Sequence, residues 1–232
     1  MFWSAPAWRS RPVRRKNWRR PSNRRPPSTA RSSKSRVRAP SEGCPRGGNV
    51  KWVTRNYVHL DRVACPWLIK RFIDPEAEFV FVPWGREDER PADAIPFAIP
   101  GVELGPHDAR GTTFQKLLTK YKLDDPALER MAKVIAGGVD CVLHGYRPGP
   151  GENEGQIGVG LLAISDGLML IEESDDRLIE ASLVLYDALY AHLKACALLE
   201  ASGEKLPPRG ERGPAPKTEF LRALLKRRAS GS

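Results

Sequence analysis

The stretch Lys51-Trp52-Val53-Thr54, then Ala64-Cys65-Pro66-Trp67-Leu68-Ile69-Lys70-Arg71-Phe72-Ile73, then Glu78-Phe79-Val80-Phe81-Val82-Pro83 decides the fold class. Its first piece is short and β-prone and opens a domain as a strand. In the second, Trp67, Leu68, Arg71 and Phe72 share helical spacing, and Pro66 suits a first helical position, where a missing N–H costs nothing. Asp74-Pro75 stops that helix. The third piece is aromatic and β-branched, as a buried strand is. Ile95-Pro96-Phe97-Ala98-Ile99 reads as a weaker strand, at an edge because of Pro96.

Beyond residue 110 the pattern becomes helical. Thr112 or Thr113 caps a helix through Tyr121, with Phe114, Leu117, Leu118 and Tyr121 on one face. Asp125-Pro126 opens another, which Gly137-Gly138 is expected to end. Ile157–Ile171 is apolar nearly all round and is expected to be buried, with Gly158 and Gly160 serving close helix packing. Asp175 or Asp176 is expected to cap the last long helix, whose stripe is Leu178, Ser182, Leu185, Leu189 and Leu193. The class is α+β: one domain over 51–200, a small mixed sheet early with a helical half packed on it. Residues 201–232 read as a flexible tail with a short basic helix at Phe220–Arg228.

The charge separates the chain into two parts. It has 232 residues and a formal net charge of +10, yet residues 1–50 hold 14 Lys/Arg and one acid, Glu42, while residues 51–232 hold 24 Lys/Arg and 27 Asp/Glu. A folded domain with a basic nucleic-acid face would carry its excess within the periodic region. Here the excess sits in an Arg/Pro/Ser-rich stretch that is expected to be a disordered arm. Three roles are open for it: contact with nucleic acid or an anionic membrane, a transit-like segment, or an extension without function. No uninterrupted apolar run approaches the ~18 to 20 residues of a bilayer span, so no membrane span is expected. Four cysteines without CxxC spacing, and no secretory leader pattern, point to reduced thiols in the cytoplasm.

The densest group of chemically useful side chains is His59-Leu60-Asp61-Arg62-Val63-Ala64-Cys65, between a strand and a helix N-terminus. His59 and Asp61, two apart on an extended loop, could face one side and hold a cation. Arg62 offers a fixed charge to an oxyanion, and Arg71 a second one. Cys65 beside a helix N-terminus would favour its thiolate and is the candidate catalytic thiol. The bland alternative is that Asp61 caps the helix, Arg62 pairs with it and Cys65 packs as a small hydrophobe. Pro106-His107-Asp108 lies in a Gly-rich loop, and Asp140 could complete a His/Asp cluster with His107. His144 and His192 are weaker candidates, the latter read as a surface residue. GxGxxG, GxxxxGK[ST], HExxH and GxSxG are all absent.

The run His59-x-Asp61-Arg62-x-Ala64-Cys65-Pro66-Trp67-Leu68-Ile69-x-Arg71-Phe72-Ile73-Asp74-Pro75 resembles the opening motif of the C-terminal domain of the ChrB chromate-resistance family. The resemblance continues through Glu78-Phe79-x-Phe81-Val82-Pro83, Gly101-Val102-Glu103-Leu104 with His107, Leu123-Asp124-Asp125-Pro126-Ala127-Leu128 and Tyr186-Asp187-Ala188-Leu189-Tyr190, covering roughly residues 51–195. It implies a role in chromate resistance, where the full-length family protein acts as a chromate-responsive regulator.

Three functions are therefore expected to compete. One is a binding or sensing domain for a small inorganic ion, either an oxyanion at Arg62 and Arg71 or a divalent transition metal at His59, Asp61, His107 and Asp140. Another is a metal- or thiol-dependent enzyme, a hydrolase or a reductase, using the same cluster or Cys65. The third is regulation through nucleic acid, carried by residues 1–50.

Overall fold

The computed structural model describes residues 50–208 and 211–229, so the arm expected over residues 1–50 lies, Val50 apart, outside the described residues. Strand β1 is Lys51–Arg55, β2 Glu78–Val82 and β3 the short Ile95–Pro96. They form one sheet of order β2-β1-β3, with both pairings parallel. A mixed sheet was expected. The strands run parallel because each return to the sheet is a crossover, and the first carries helix α1 (Asp61–Leu68) and a π-helical turn over Ile69–Ile73.

The period-2 alternation of the strands splits the core. Trp52, Phe79 and Phe81 belong to the large cluster shared with the helices. Val53, Val80 and Val82 join Ala94, Ile99 and Val102 in a smaller cluster on the other side. Helix α1 buries every residue from Val63 to Leu68. It starts five residues before Pro66, so that proline lies inside the helix rather than at its first position, and Asp61 is a helical residue rather than part of an extended loop.

Helices α2 (Thr113–Tyr121), α3 (Pro126–His144), α4 (Asn153–Ile171), α5 (Asp175–Ser202) and α6 (Ala215–Ala229) complete the described chain. Thr112 and Gln115 form a reciprocal capping box at α2. Helix α5 is capped by Ser174, whose hydroxyl accepts from the Arg177 amide, because the neighbouring Asp175 carboxylate is engaged by the amides of Tyr57 and Val58. The basic helix begins earlier than expected, at Ala215, and seats Leu224 in a buried position.

Gly137 and Gly138 do not end α3, which runs on to His144 and stops where Gly145 adopts a left-handed φ of 66°. They are contact points instead. A Cβ on Gly137 would sit 3.0 Å from the Gly155 Cα, and one on Gly138 would sit 2.9 Å from the Gly158 carbonyl oxygen. A Cβ on Gly158 would lie 2.3 Å from the Val134 carbonyl oxygen. The α3–α4 pair is thus packed backbone to backbone. Gly158→Ala is expected to cost about 2–3 kcal/mol, since the clash is with main chain that has no rotamer to yield. Urea unfolding checks it, and a variant as stable as the parent would show the two helices to be separable.

The expectation that Ile157–Ile171 is buried does not hold: only Gly158, Leu161 and Ser165 are, and Leu170 and Ile171 are 86% and 81% exposed. The apolar surface of α4 exceeds the one face that α3 covers. By length and composition alone, α4 and α5 are each apolar enough to cross a membrane. Scattered charged residues interrupt both sequences, so neither contains an unbroken apolar run of that length. Each also contributes to the core beside the sheet: Leu161 from α4, and Leu178, Ile179, Tyr186 and Leu193 from α5. A core helix passes that composition test as readily as a span does.

Candidate metal centre and the residues around the signature motif

The signature motif is built into the scaffold. Asp61 is half-buried in the first turn of α1, and both of its oxygens reach across to α2. Oδ2 accepts from the Thr113 amide at 2.9 Å and Oδ1 from the Phe114 amide at 3.1 Å. With Thr112 Oγ1 accepting from the Gln115 amide, the first three N–H groups of α2 are satisfied. Asp61 therefore caps α2, whose capped amides lie 52 and 53 residues downstream, rather than its own helix. Burial pushes its carboxyl pKa up, against the hydrogen bonds from Thr113, Phe114 and Cys65.

Cys65 is fully buried, its thiol donating to Asp61 Oδ1 at 3.5 Å. Burial and the Asp61 charge raise its pKa well above the usual thiol value, opposite to what a helix N-terminus would do, because Cys65 is the fifth residue of α1. Cys141 and Cys196 are half-buried. Brief alkylation of the native chain should accordingly label Cys141 and Cys196 and leave Cys65 unmodified until denaturation. Peptide mass spectrometry reads this directly, and fast native labelling of Cys65 would restore it as a reactive thiol.

The guanidinium groups are also committed. Arg62 donates to the carbonyls of Arg55, Asn56 and Tyr57 at 3.0, 2.9 and 2.8 Å, holding the loop after β1, and desolvation lowers its pKa to about 10. Arg71 forms a two-point pair with Asp187 at 2.9 and 2.8 Å, and the Trp67 indole donates to the same carboxylate. These contacts pin α1 and its π turn to α5. His59 donates from Nε2 to Asp166 of α4 at 2.7 Å, on a loop whose flanking Tyr57 and Leu60 both have positive φ, 54° and 43°. The structure thus separates His59 from Asp61, and neither joins the other expected ligands.

His107 and Asp140 do come together, and His144 joins them. Asp140 and His144 lie one turn apart near the end of α3, and His107 reaches them from the loop before α2. His107 Nε2 is 3.5 Å from Asp140 Oδ1, and the two imidazole centroids are 6.2 Å apart. One donor atom from each residue lies within 4.8 Å of the others, against about 3.4 Å between ligand atoms around a tetrahedral zinc. Among the described residues this is the one group of three or more His, Cys, Asp or Glu donors with such spacing.

The loop that carries His107 is fixed from below. Lys116, nearly buried, donates to the carbonyls of Gly105 and Pro106 and pairs with Asp108 at 2.9 Å. Thr113 Oγ1 also donates to the Gly105 carbonyl. Asp108 is aimed at Lys116 and Arg110, which hold its carboxyl well below the usual carboxylate range, and so it stands apart from its neighbour's imidazole. His107 Nδ1 is buried with no hydrogen-bond partner among the described residues. The nitrogen near Asp140 is Nε2, and an ion held there would leave Nδ1 as an N–H donor. The residues present therefore fit a metal ion: two imidazoles and a carboxylate, a set suited to divalent zinc or iron.

The family model for the ChrB C-terminal domain matches residues 52–193, more than half of the chain. The chain belongs to the ChrB C-terminal domain family. A curated relative, Protein ChrB of Cupriavidus metallidurans (strain ATCC 43123 / DSM 2839 / NBRC 102507 / CH34), is 38% identical over 112 residues, covering 42% of this chain and 33% of the relative. This ChrB-type chain thus matches about a third of that relative's length. No solved structure matches it. The matched segment of the ChrB-type domain contains the signature motif, all of α1 to α4, and the cluster His107, Asp140 and His144.

Proposed function

We propose that this domain binds and senses an inorganic ion in chromate resistance, the association its family carries, with a divalent transition metal held by His107, Asp140 and His144. The observation that carries the reading is the convergence of two imidazoles and a carboxylate, His107, His144 and Asp140, with His107 Nε2 3.5 Å from Asp140 Oδ1. Of the two ions considered, the metal is favoured over a free oxyanion because the N–H groups of Arg62 and Arg71 already serve backbone carbonyls and Asp187.

Binding would join the loop of residues 105–111 to the end of α3, so occupancy would be read out as a link between those two elements. A bound metal would supply Lewis acidity. Three protein ligands leave coordination positions open, and that favours a second reading, a metal-dependent hydrolase.

Thermal melts of the full chain test the proposal. At a metal concentration of 100 times Kd, linkage gives about 2.7 kcal/mol, an upward Tm shift of roughly 5–10 °C for a domain of this size. Zinc, manganese or nickel should produce it, and chromate alone should not. A shift with chromate in metal-free buffer would replace the metal reading with an oxyanion one.

A further inference from the structure

Helix α4 has two apolar sides, and α3 covers one of them. On the covered side Gly158, Leu161 and Ser165 are buried, with Gly158 against the α3 backbone. The other side carries Gly160, Ala163, Ile164, Gly167, Leu170 and Ile171 at helical spacing. Ile164, Leu170 and Ile171 are 47%, 86% and 81% exposed. From Gln156 to Ile171 the sole charged residue is Asp166, which stands at the edge of this side and is paired with His59. The outer side of a solvated helix is polar, so an uncharged apolar one marks an interaction face.

The order of residues on that face indicates its partner. Gly160, Ile164, Gly167 and Ile171 alternate a missing side chain with a branched one. A Cβ added at Gly160 or Gly167 would meet nothing within 4 Å, so both glycines are open notches. Laid antiparallel on α4 of a second copy, about a two-fold axis between Ile164 and Gly167, the helix sets every isoleucine against a glycine. Ile164 meets the other copy's Gly167, and Ile171 meets its Gly160. Such self-complementarity is what an isologous contact requires, with side-chain knobs seated in facing holes. The exposed aliphatic side chains and the helix surface between them offer on the order of 400 Å² per copy, so a pair buries about 800 Å², the size of a small reversible interface.

We infer that α4 is a homodimerisation helix, pairing antiparallel with α4 of a second copy through this face. The small area makes the dimer reversible, dissociating at micromolar concentrations. None of its residues belongs to the metal centre, so the inference is independent of the function proposed above.

Sedimentation velocity of the full chain, from about 2 to 500 µM, tests it by spanning the expected micromolar range. A monomer–dimer equilibrium is expected. Gly160→Ile fills a notch that the fold leaves open, and by setting isoleucine against Ile171 should weaken the dimer at least about tenfold. Adding Ile171→Gly to it exchanges knob and notch, and should restore association to within about threefold of the parent. A general loss of apolar surface would not produce that rescue. Both positions are exposed, so the variants are expected to fold, with circular dichroism matching the parent. A monomer at every concentration, a dimer indifferent to Gly160→Ile, or a double variant no better than the single one would overturn the inference. Flotation of the monomer with neutral phosphatidylcholine vesicles, without self-association, would assign the face to a membrane and overturn it too.

Discussion

Asp61→Ala is expected to lower the unfolding free energy by about 3–4 kcal/mol, the largest single-residue effect in the domain. The change removes both acceptors of the Thr113 and Phe114 amides, which close the buried start of α2. Each orphaned donor costs about 1–3 kcal/mol, and relief of the buried carboxylate's desolvation returns part of it. For a domain of this size the midpoint should fall by roughly 8–12 °C. Asp61→Asn keeps the shape but offers one acceptor oxygen where two are used, and should fall between the variant and the parent.

The pH dependence has opposite signs at two aspartates. Asp61 has a folded pKa raised by burial, so folding favours its protonated form. Its contribution is fully present below the unfolded carboxylate pKa and is lost as pH rises through the folded value. Asp108 has its folded pKa lowered by Lys116 and Arg110, so its contribution is present above the unfolded value and lost as pH falls through the folded one. Acid should therefore loosen the His107 loop before it loosens the α1–α2 junction. Hydrogen exchange over residues 105–111, compared with residues 113–117 along an acid titration, checks that order. Equal loss in both segments would contradict it.

His107→Ala is expected to reduce zinc affinity at the metal centre by at least about 100-fold, corresponding to about 2.7 kcal/mol. Removing one of three ligands leaves Asp140 and His144 as a two-donor site on a single helix face, with no contribution from the loop. His144→Ala should cost a similar amount, for it removes the other imidazole. Asp140→Asn should cost less than either, because the amide oxygen still ligates and only the charge is lost. Calorimetric zinc titrations of the three variants rank these effects. His59→Ala is the internal control. That imidazole is held by Asp166, outside the cluster, and its loss should leave zinc affinity unchanged.

The strand–helix–strand opening was legible in the sequence because its signals are local: alternation in Phe79–Val82 and helical spacing around Trp67. The fate of the signature motif was not. Nothing in His59-Leu60-Asp61 tells that Asp61 would cap amides 52 and 53 residues later, since that depends on how α1 and α2 are brought side by side. The candidate centre was half legible. His107 and Asp140 could be paired as residue types, but ending α3 at Gly137-Gly138 hid the Asp140–His144 spacing of one helical turn. Those glycines punctuate a sequence read alone, whereas in the fold they are where α4 approaches. The same error of context applies to Ile157–Ile171, whose apolar residues exceed the face that α3 covers. His192 was read as a surface residue and is exposed on α5, a position its polar neighbours on the helix already suggested.

The most direct test of the metal centre is X-ray absorption at the zinc K-edge on the chain loaded with one equivalent of zinc. The expected spectrum has two imidazoles and oxygen around the ion, no sulfur, and loses an imidazole in His107→Ala. Sulfur in the coordination shell, zinc that is not retained, or a spectrum unchanged by His107→Ala would contradict the centre at His107, Asp140 and His144.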